Sequence, residues 1–183
     1  MNLPNLISLA RLVVVPLIVW LMVEGEWRLA FGLFCLAGIS DAADGFIAKR
    51  FDMQSLLGRF LDPMADKALL VAIFVALGIQ GHLPVSLVIL VVSRDVLIVA
   101  AVLLLYALGL PYEPRPVIAS KINTAAQITL AAIVMADLAF DWRWLTLLEQ
   151  GLIVITALTT VVSGAAYLID WGRRMNQAEQ GPK

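Results

Sequence analysis

This chain has a single cysteine, Cys35, and a single histidine, His82, and Cys35 lies inside an apolar run. A disulfide framework and a thiolate metal site are therefore excluded. Charge is scarce too: only 15% of the 183 residues are Asp, Glu, Lys or Arg, and the net charge is −1. With no basic excess to neutralise a phosphate polymer, nucleic acid is not an expected partner. No segment alternates apolar and polar residues with period two, so strands are not expected. The N-terminus lacks the basic region of a signal peptide and the Arg- and Ser-rich character of a transit peptide. Glu24-Gly25-Glu26 does not resemble a small-residue cleavage site, so the first apolar run is expected to remain as a membrane helix.

What is present is apolar. Hydrophobic residues make up 61% of the chain and the mean hydropathy is +0.91, against about 45–50% apolar residues in a soluble domain. A membrane helix needs about 20 mostly apolar residues, and six such stretches fit near 3–23, 27–50, 56–79, 84–109, 117–138 and 144–171. Their dividers are Glu24-Gly25-Glu26, Gln80-Gly81-His82 with Pro84, the run Pro111, Pro114 and Pro116, and the segment Asp137 to Asp141. Lipid admits only helices or closed barrels. The expected fold is thus an all-α integral membrane protein with six transmembrane helices, one domain over residues 1–175 and a frayed polar tail over 176–183. One set of helix ends carries Lys49, Arg50, Arg59, Arg115, Lys121, Arg173, Arg174 and Lys183, and the opposite set only Arg28 and Arg143. That asymmetry puts both termini in the cytoplasm. Trp27, Trp142, Trp144 and Trp171 fall near span ends, where an interfacial belt belongs.

The informative stretch is DAADGFIAKRFDMQSLLGRFLDPMADK, Asp41 to Lys67. Carboxylates within a membrane span are costly and mark function. Asp41, Asp44, Gly45 and Ala48 share one face of the second helix; Ser55, Gly58, Asp62 and Asp66 share one face of the third. The short connection between these helices makes them antiparallel neighbours, so the carboxylates can converge. Like charges that close require compensation, and with only oxygen donors the remedy is Mg²⁺, Mn²⁺ or Ca²⁺ rather than Zn²⁺. Such ions bind phosphate oxygens, and Lys49, Arg50, Arg59 and Lys67 lie beside the cluster to neutralise others. A cation-coupled transporter is the rival class. Its acids would sit near the midplane and recur in symmetry-related halves, whereas these lie toward one end of two consecutive helices and no repeat is visible.

Asp41-x-x-Asp44-Gly45-x-x-Ala48 followed by Gly58-x-x-x-Asp62-x-x-x-Asp66 resembles the motif of the CDP-alcohol phosphatidyltransferases. The family's usual Arg after the Ala is Lys49 here, followed by Arg50, so a point charge replaces a planar fork. The resemblance extends to Pro4, Asn5 and Arg11 near the N-terminus. It implies six transmembrane helices, a homodimer and two Mg²⁺ or Mn²⁺ ions held by Asp41, Asp44, Asp62 and Asp66, with Asp66 as general base. It places Asn5, Arg11, Gly45, Ala48, Lys49, Ser55 and Gly58 against the CDP-lipid. Ser93-Arg94-Asp95-Val96, the segment Ser120 to Gln127, and Thr156 to Thr160 with Gly172-Arg173-Arg174 resemble the CMP-forming cardiolipin synthases within that family. The implied partners are CDP-diacylglycerol and phosphatidylglycerol in the bacterial cytoplasmic membrane, with the site facing the cytoplasm. Phosphatidylglycerophosphate synthases, whose acceptor is glycerol 3-phosphate, share much of the pattern.

Arg94 and Lys121 are candidate ligands of an acceptor phosphate, and the alternative for Arg94 is an ion pair with Asp95. Ser120, Asn123, Thr124 and Gln127 are alternatively interhelical hydrogen bonders. Gly32, Gly38 and Gly164 are expected where helices pack closely, and His82 is expected in a solvated turn.

Overall fold

The computed structural model describes the backbone of residues 3–51, 58–107, 118–142 and 145–179, and the side chains of 12–41, 67–100, 118–142, 145–169 and 171–172. Six helices fill these ranges: α1 (Leu3–Val23), α2 (Trp27–Phe51), α3 (Gly58–Ile79), α4 (Val85–Ala107), α5 (Ile118–Phe140) and α6 (Leu145–Glu179). The described residues contain no strand, and the helices match the expected stretches closely. Two departures have local causes. α5 runs on through Asp137 and stops only at Asp141, whose φ of 55° puts it in the left-handed region. α6 continues past Trp171 to Glu179, because Arg, Met, Gln, Ala and Glu are good helix formers whatever their polarity.

α1 and α3 end in the same way. Glu26 N donates to Leu21 O at 2.9 Å and Gly25 N to Met22 O at 3.2 Å; His82 N donates to Leu77 O at 2.9 Å and Gly81 N to Gly78 O at 3.1 Å. These are paired Schellman closures, and they need the positive φ that Gly25 (78°) and Gly81 (79°) supply. The capped ends gather at one end of the bundle. Trp27 meets His82 edge to face at 5.1 Å, Arg28 Nε donates to Ala139 O at 3.1 Å, and Phe140 packs on both Phe31 and Trp142. His82 is therefore half-buried against an indole rather than solvated.

Among the described residues the helices contact one another in a ring, α1–α2–α5–α6–α4–α3, with α3 also touching α5 across the middle. α2 and α3 are thus joined through two shared neighbours, α1 and α5. Ile18, Met22, Ile73, Phe74, Leu77, Val91, Leu130 and Met135 are fully buried between them. The outside is apolar as well: Val13, Ile39, Ile89, Leu147, Leu158 and many others are exposed. A soluble monomer does not carry so much exposed hydrophobic surface. α5 and Leu145–Ile169 of α6 are long and apolar enough to cross a membrane.

Close approach occurs where it was not expected. A Cβ on Gly78 would lie 2.7 Å from Val88 Cγ2, whereas at Gly32 and Gly38 it would meet nothing within 4 Å among the described residues. Gly164 is intermediate, with Arg94 Cγ 3.7 Å away.

Candidate active site

Helix register places the aspartates before any side chain is considered. Since the Trp27 and His82 ends meet, depth along α2 and α3 can be counted from a common level. Asp41 lies fourteen residues from Trp27 and Asp66 thirteen from Ile79; Asp44 and Asp62 each lie seventeen residues in. At 1.5 Å per residue, the first pair sits about 20 Å and the second about 26 Å from the capped end. Two carboxylate-bearing residues per helix thus occupy two matching levels, toward the end where the Lys and Arg residues collect.

The Asp41 side chain is half-buried on α2. The side chains of Asp44, Gly45, Ala48 and Lys49 on α2, of Gly58, Asp62 and Asp66 on α3, and of Asn5 and Arg11 on α1 lie outside the described residues, as does Ser55 entirely. Among the described residues no three His, Cys, Asp or Glu side chains gather as a metal site.

Beside this level lies a polar knot whose parts are described. Lys67 follows Asp66 on α3, and its Nζ donates to Asp95 Oδ1 on α4 at 3.1 Å. The same oxygen accepts from Arg94 Nη1. Arg94 Nη2 donates to Ser120 Oγ of α5 at 2.8 Å and to Ser163 Oγ of α6. The guanidinium carbon stands 5.5 Å from the centroid of the Tyr167 ring, a cation–π distance. Arg94 and Asp95 are each 5% exposed. The ion-pair alternative for Arg94 is what the structure contains: Nη1 and Nη2 both donate inside the protein, while Nε is buried with no partner among the described residues. Lys121, by contrast, is exposed near the start of α5.

A second polar stripe joins α5 to α6. Asn123 Oδ1 lies 3.0 Å from Thr159 Oγ1 and 2.8 Å from Thr160 Oγ1, with Asn123 fully buried. Ser120 and Asn123 are interhelical as expected, but Thr124 turns back to its own helix, its hydroxyl donating to Ser120 O at 3.1 Å. Gln127 is buried, and its Nε2 has no partner among the described residues. Asp95 was named as an ion-pair partner of Arg94, but the Lys67 contact that makes it a hub was not, and neither Ser163 nor Tyr167 was singled out. Asp95 was legible as the one acid in an apolar run beside an Arg; Ser163 and Tyr167 carry no signal without the α4–α6 packing.

Residues 1–162 match the family described as CDP-alcohol phosphatidyltransferase. The chain is similar to a protein named cardiolipin synthase (CMP-forming) of Rattus norvegicus, 35% identical over 196 residues, covering 98% of this chain and 64% of the relative. The Homo sapiens protein of that name is 35% identical over 192 residues, covering 96% of this chain and 63% of the relative. The chain thus spans a little under two thirds of the length of these two relatives. A Bacillus subtilis protein named CDP-diacylglycerol–glycerol-3-phosphate 3-phosphatidyltransferase is 32% identical over 182 residues, covering 91% of this chain and 93% of the relative. The match takes in both aspartate-bearing helices, the Arg94–Asp95 pair and Lys121, and on that coverage this chain belongs to the CDP-alcohol phosphatidyltransferase family.

Proposed function

We propose that the chain transfers a phosphatidyl group from CDP-diacylglycerol to a glycerol hydroxyl of phosphatidylglycerol, releasing CMP and forming cardiolipin. The observation that carries this reading is the 35% identity to CMP-forming cardiolipin synthases across 98% and 96% of the chain. All six helices span the membrane in this proposal, both termini and the aspartate-bearing ends face the cytoplasm, and two copies associate as a homodimer. The apolar exterior and the segregation of Lys and Arg support that orientation.

Asp41, Asp44, Asp62 and Asp66 would hold Mg²⁺ or Mn²⁺, as two ions. The donor set fits: four carboxylates, with no His or Cys in the motif, suit a hard divalent cation. When bound, the metal supplies charge neutralisation at the pyrophosphate and stabilises the negative charge of the departing CMP. The chain's own residues do the rest. Gly45 and Ala48 leave room for the nucleotide, with Asn5, Arg11, Lys49, Ser55 and Gly58 around the CDP-lipid. Asp66 accepts the proton of the acceptor hydroxyl as that oxygen bonds to the phosphorus carrying diacylglycerol. The bond from that phosphorus to CMP breaks, and CMP leaves with the electron pair. Positioning and electrostatics dominate such a transfer. Lys121, exposed near the start of α5, is the residue this reading assigns to the acceptor's phosphate.

The Bacillus subtilis relative, of which the chain covers 93%, favours a second reading in which glycerol 3-phosphate is the acceptor. A comparison of the two acceptors decides. Purified chain with CDP-diacylglycerol and Mg²⁺ should release CMP faster with phosphatidylglycerol and yield cardiolipin; CMP release with glycerol 3-phosphate alone would replace the first reading with the second.

A further inference from the structure

Asp95 gives one carboxylate oxygen to two cations. Its Oδ1 accepts from Arg94 Nη1 and from Lys67 Nζ. Among the described residues, the remaining groups on the Arg94 guanidinium are the hydroxyls of Ser120 and Ser163 and the ring of Tyr167, none of which carries charge. Two positive charges against one negative among the described residues leave a surplus positive charge in this knot, in a region of low dielectric where charge demands a partner. The surplus has one outlet. The Arg94 side chain is 4% exposed and that of Asp95 6%, but that of Lys67 is 33% exposed. An ammonium carries three donors, and Asp95 takes one. Lys67 is also the residue after Asp66, within two residues of the Asp41 level. A half-exposed ammonium, oriented by a buried carboxylate and set beside the aspartate level, is suited to an anionic oxygen.

We propose that Asp95 is a positioning residue that holds the Lys67 ammonium beside the aspartate-bearing segment of α3, where Lys67 contacts an oxygen of a substrate phosphate. This rests on the phosphatidyl-transfer reading above. The phosphate belongs either to the CDP-linked donor or to the acceptor, and the two sources share the same anionic oxygen chemistry. Arg94 anchors the arrangement from behind and does not itself meet the ligand.

The test measures KM and kcat for each substrate separately, by CMP release, in wild type, Lys67→Gln, Lys67→Arg and Asp95→Asn. Titration with inorganic pyrophosphate, which needs no turnover, runs alongside. Lys67→Gln keeps the buried Arg94–Asp95 pair, so it retains the fold even if Asp95→Asn does not. The expected result is a rise of about tenfold in one substrate's KM for Lys67→Gln, the size of a lost hydrogen bond to a charged group. kcat should change less, pyrophosphate binding should weaken, and Lys67→Arg should recover most of both. A rise confined to CDP-diacylglycerol assigns the contact to the donor, and one confined to the acceptor assigns it there. Asp95→Asn should raise the same KM, with the double variant no worse than Lys67→Gln alone. Unchanged KM for both substrates with unchanged pyrophosphate binding overturns the proposal, as does a loss confined to kcat. Wild-type protein that releases no CMP with any acceptor refutes the transfer reading instead, and the pyrophosphate titration then judges Lys67 on its own.

Discussion

Gly78 and Val88 meet so closely that a Cβ on the glycine would fall 2.7 Å from Val88 Cγ2, which makes this the tight point of the α3–α4 seam. Further along the same seam lies the Lys67–Asp95 pair. A valine fixed at χ1 yields poorly, so Gly78→Ala should destabilise by about 1–3 kcal/mol through overpacking. Thermal unfolding in detergent checks this, and Val88→Ala should restore part of the loss. An unchanged midpoint for Gly78→Ala would mean that the helices sit further apart.

The other glycines should behave differently, for reasons of backbone rather than space. Gly25 and Gly81 have open surroundings but positive φ, so alanine there should cost about 1 kcal/mol. Asparagine, which tolerates that conformation, should cost less. Gly38 lies within α2 with nothing near a new Cβ among the described residues, and Gly38→Ala should stabilise by up to about 1 kcal/mol. Comparing the unfolding midpoints of these variants checks the order.

How much of this was readable beforehand follows from range. Helix number and bounds rest on local signals, namely apolar runs of about 20 residues and glycine stops, and these placed Gly25 and Gly81 correctly. Which glycine is crowded depends on a partner helix, so Gly32 and Gly38 drew attention that belonged to Gly78. His82 reads as a turn residue until Trp27 of another helix comes to cover it. The aspartate motif stands out in the sequence by its helical spacing, and the matching depths of its residues on α2 and α3 needed the helix bounds. The partners of Arg94 on α5 and α6 were not, since nothing in sequence joins Ser120 and Ser163 to position 94.

The buried pair should show an asymmetry. Asp95→Leu removes the only carboxylate facing two cations among the described residues, while Arg94→Leu leaves Asp95 with Lys67 as partner. Breaking a buried pair costs about 3–5 kcal/mol when an uncompensated charge remains, so Asp95→Leu should approach that value and Arg94→Leu should cost less. Urea unfolding in mixed micelles measures both. Equal losses would show that Lys67 does not compensate Asp95.

The stripe between α5 and α6 should tolerate loss better. Thr160 Oγ1 also lies 2.6 Å from Thr156 O, and Thr159 Oγ1 lies 2.9 Å from Ile155 O. Both hydroxyls therefore keep an acceptor when Asn123 is removed. Asn123→Ala should cost about 1 kcal/mol, near the average for polar contacts between membrane helices. A loss of several kcal/mol would point to further partners of the buried Asn123 amide.

The most direct measurement is CMP release from CDP-diacylglycerol by purified protein with Mg²⁺, compared with one Asp→Asn variant from each helix, Asp41→Asn and Asp62→Asn. The expected result is release that stops when divalent metal is chelated and falls by at least about a hundredfold in each variant. Release at the full rate without metal, or from either variant, would contradict a shared carboxylate site built by α2 and α3.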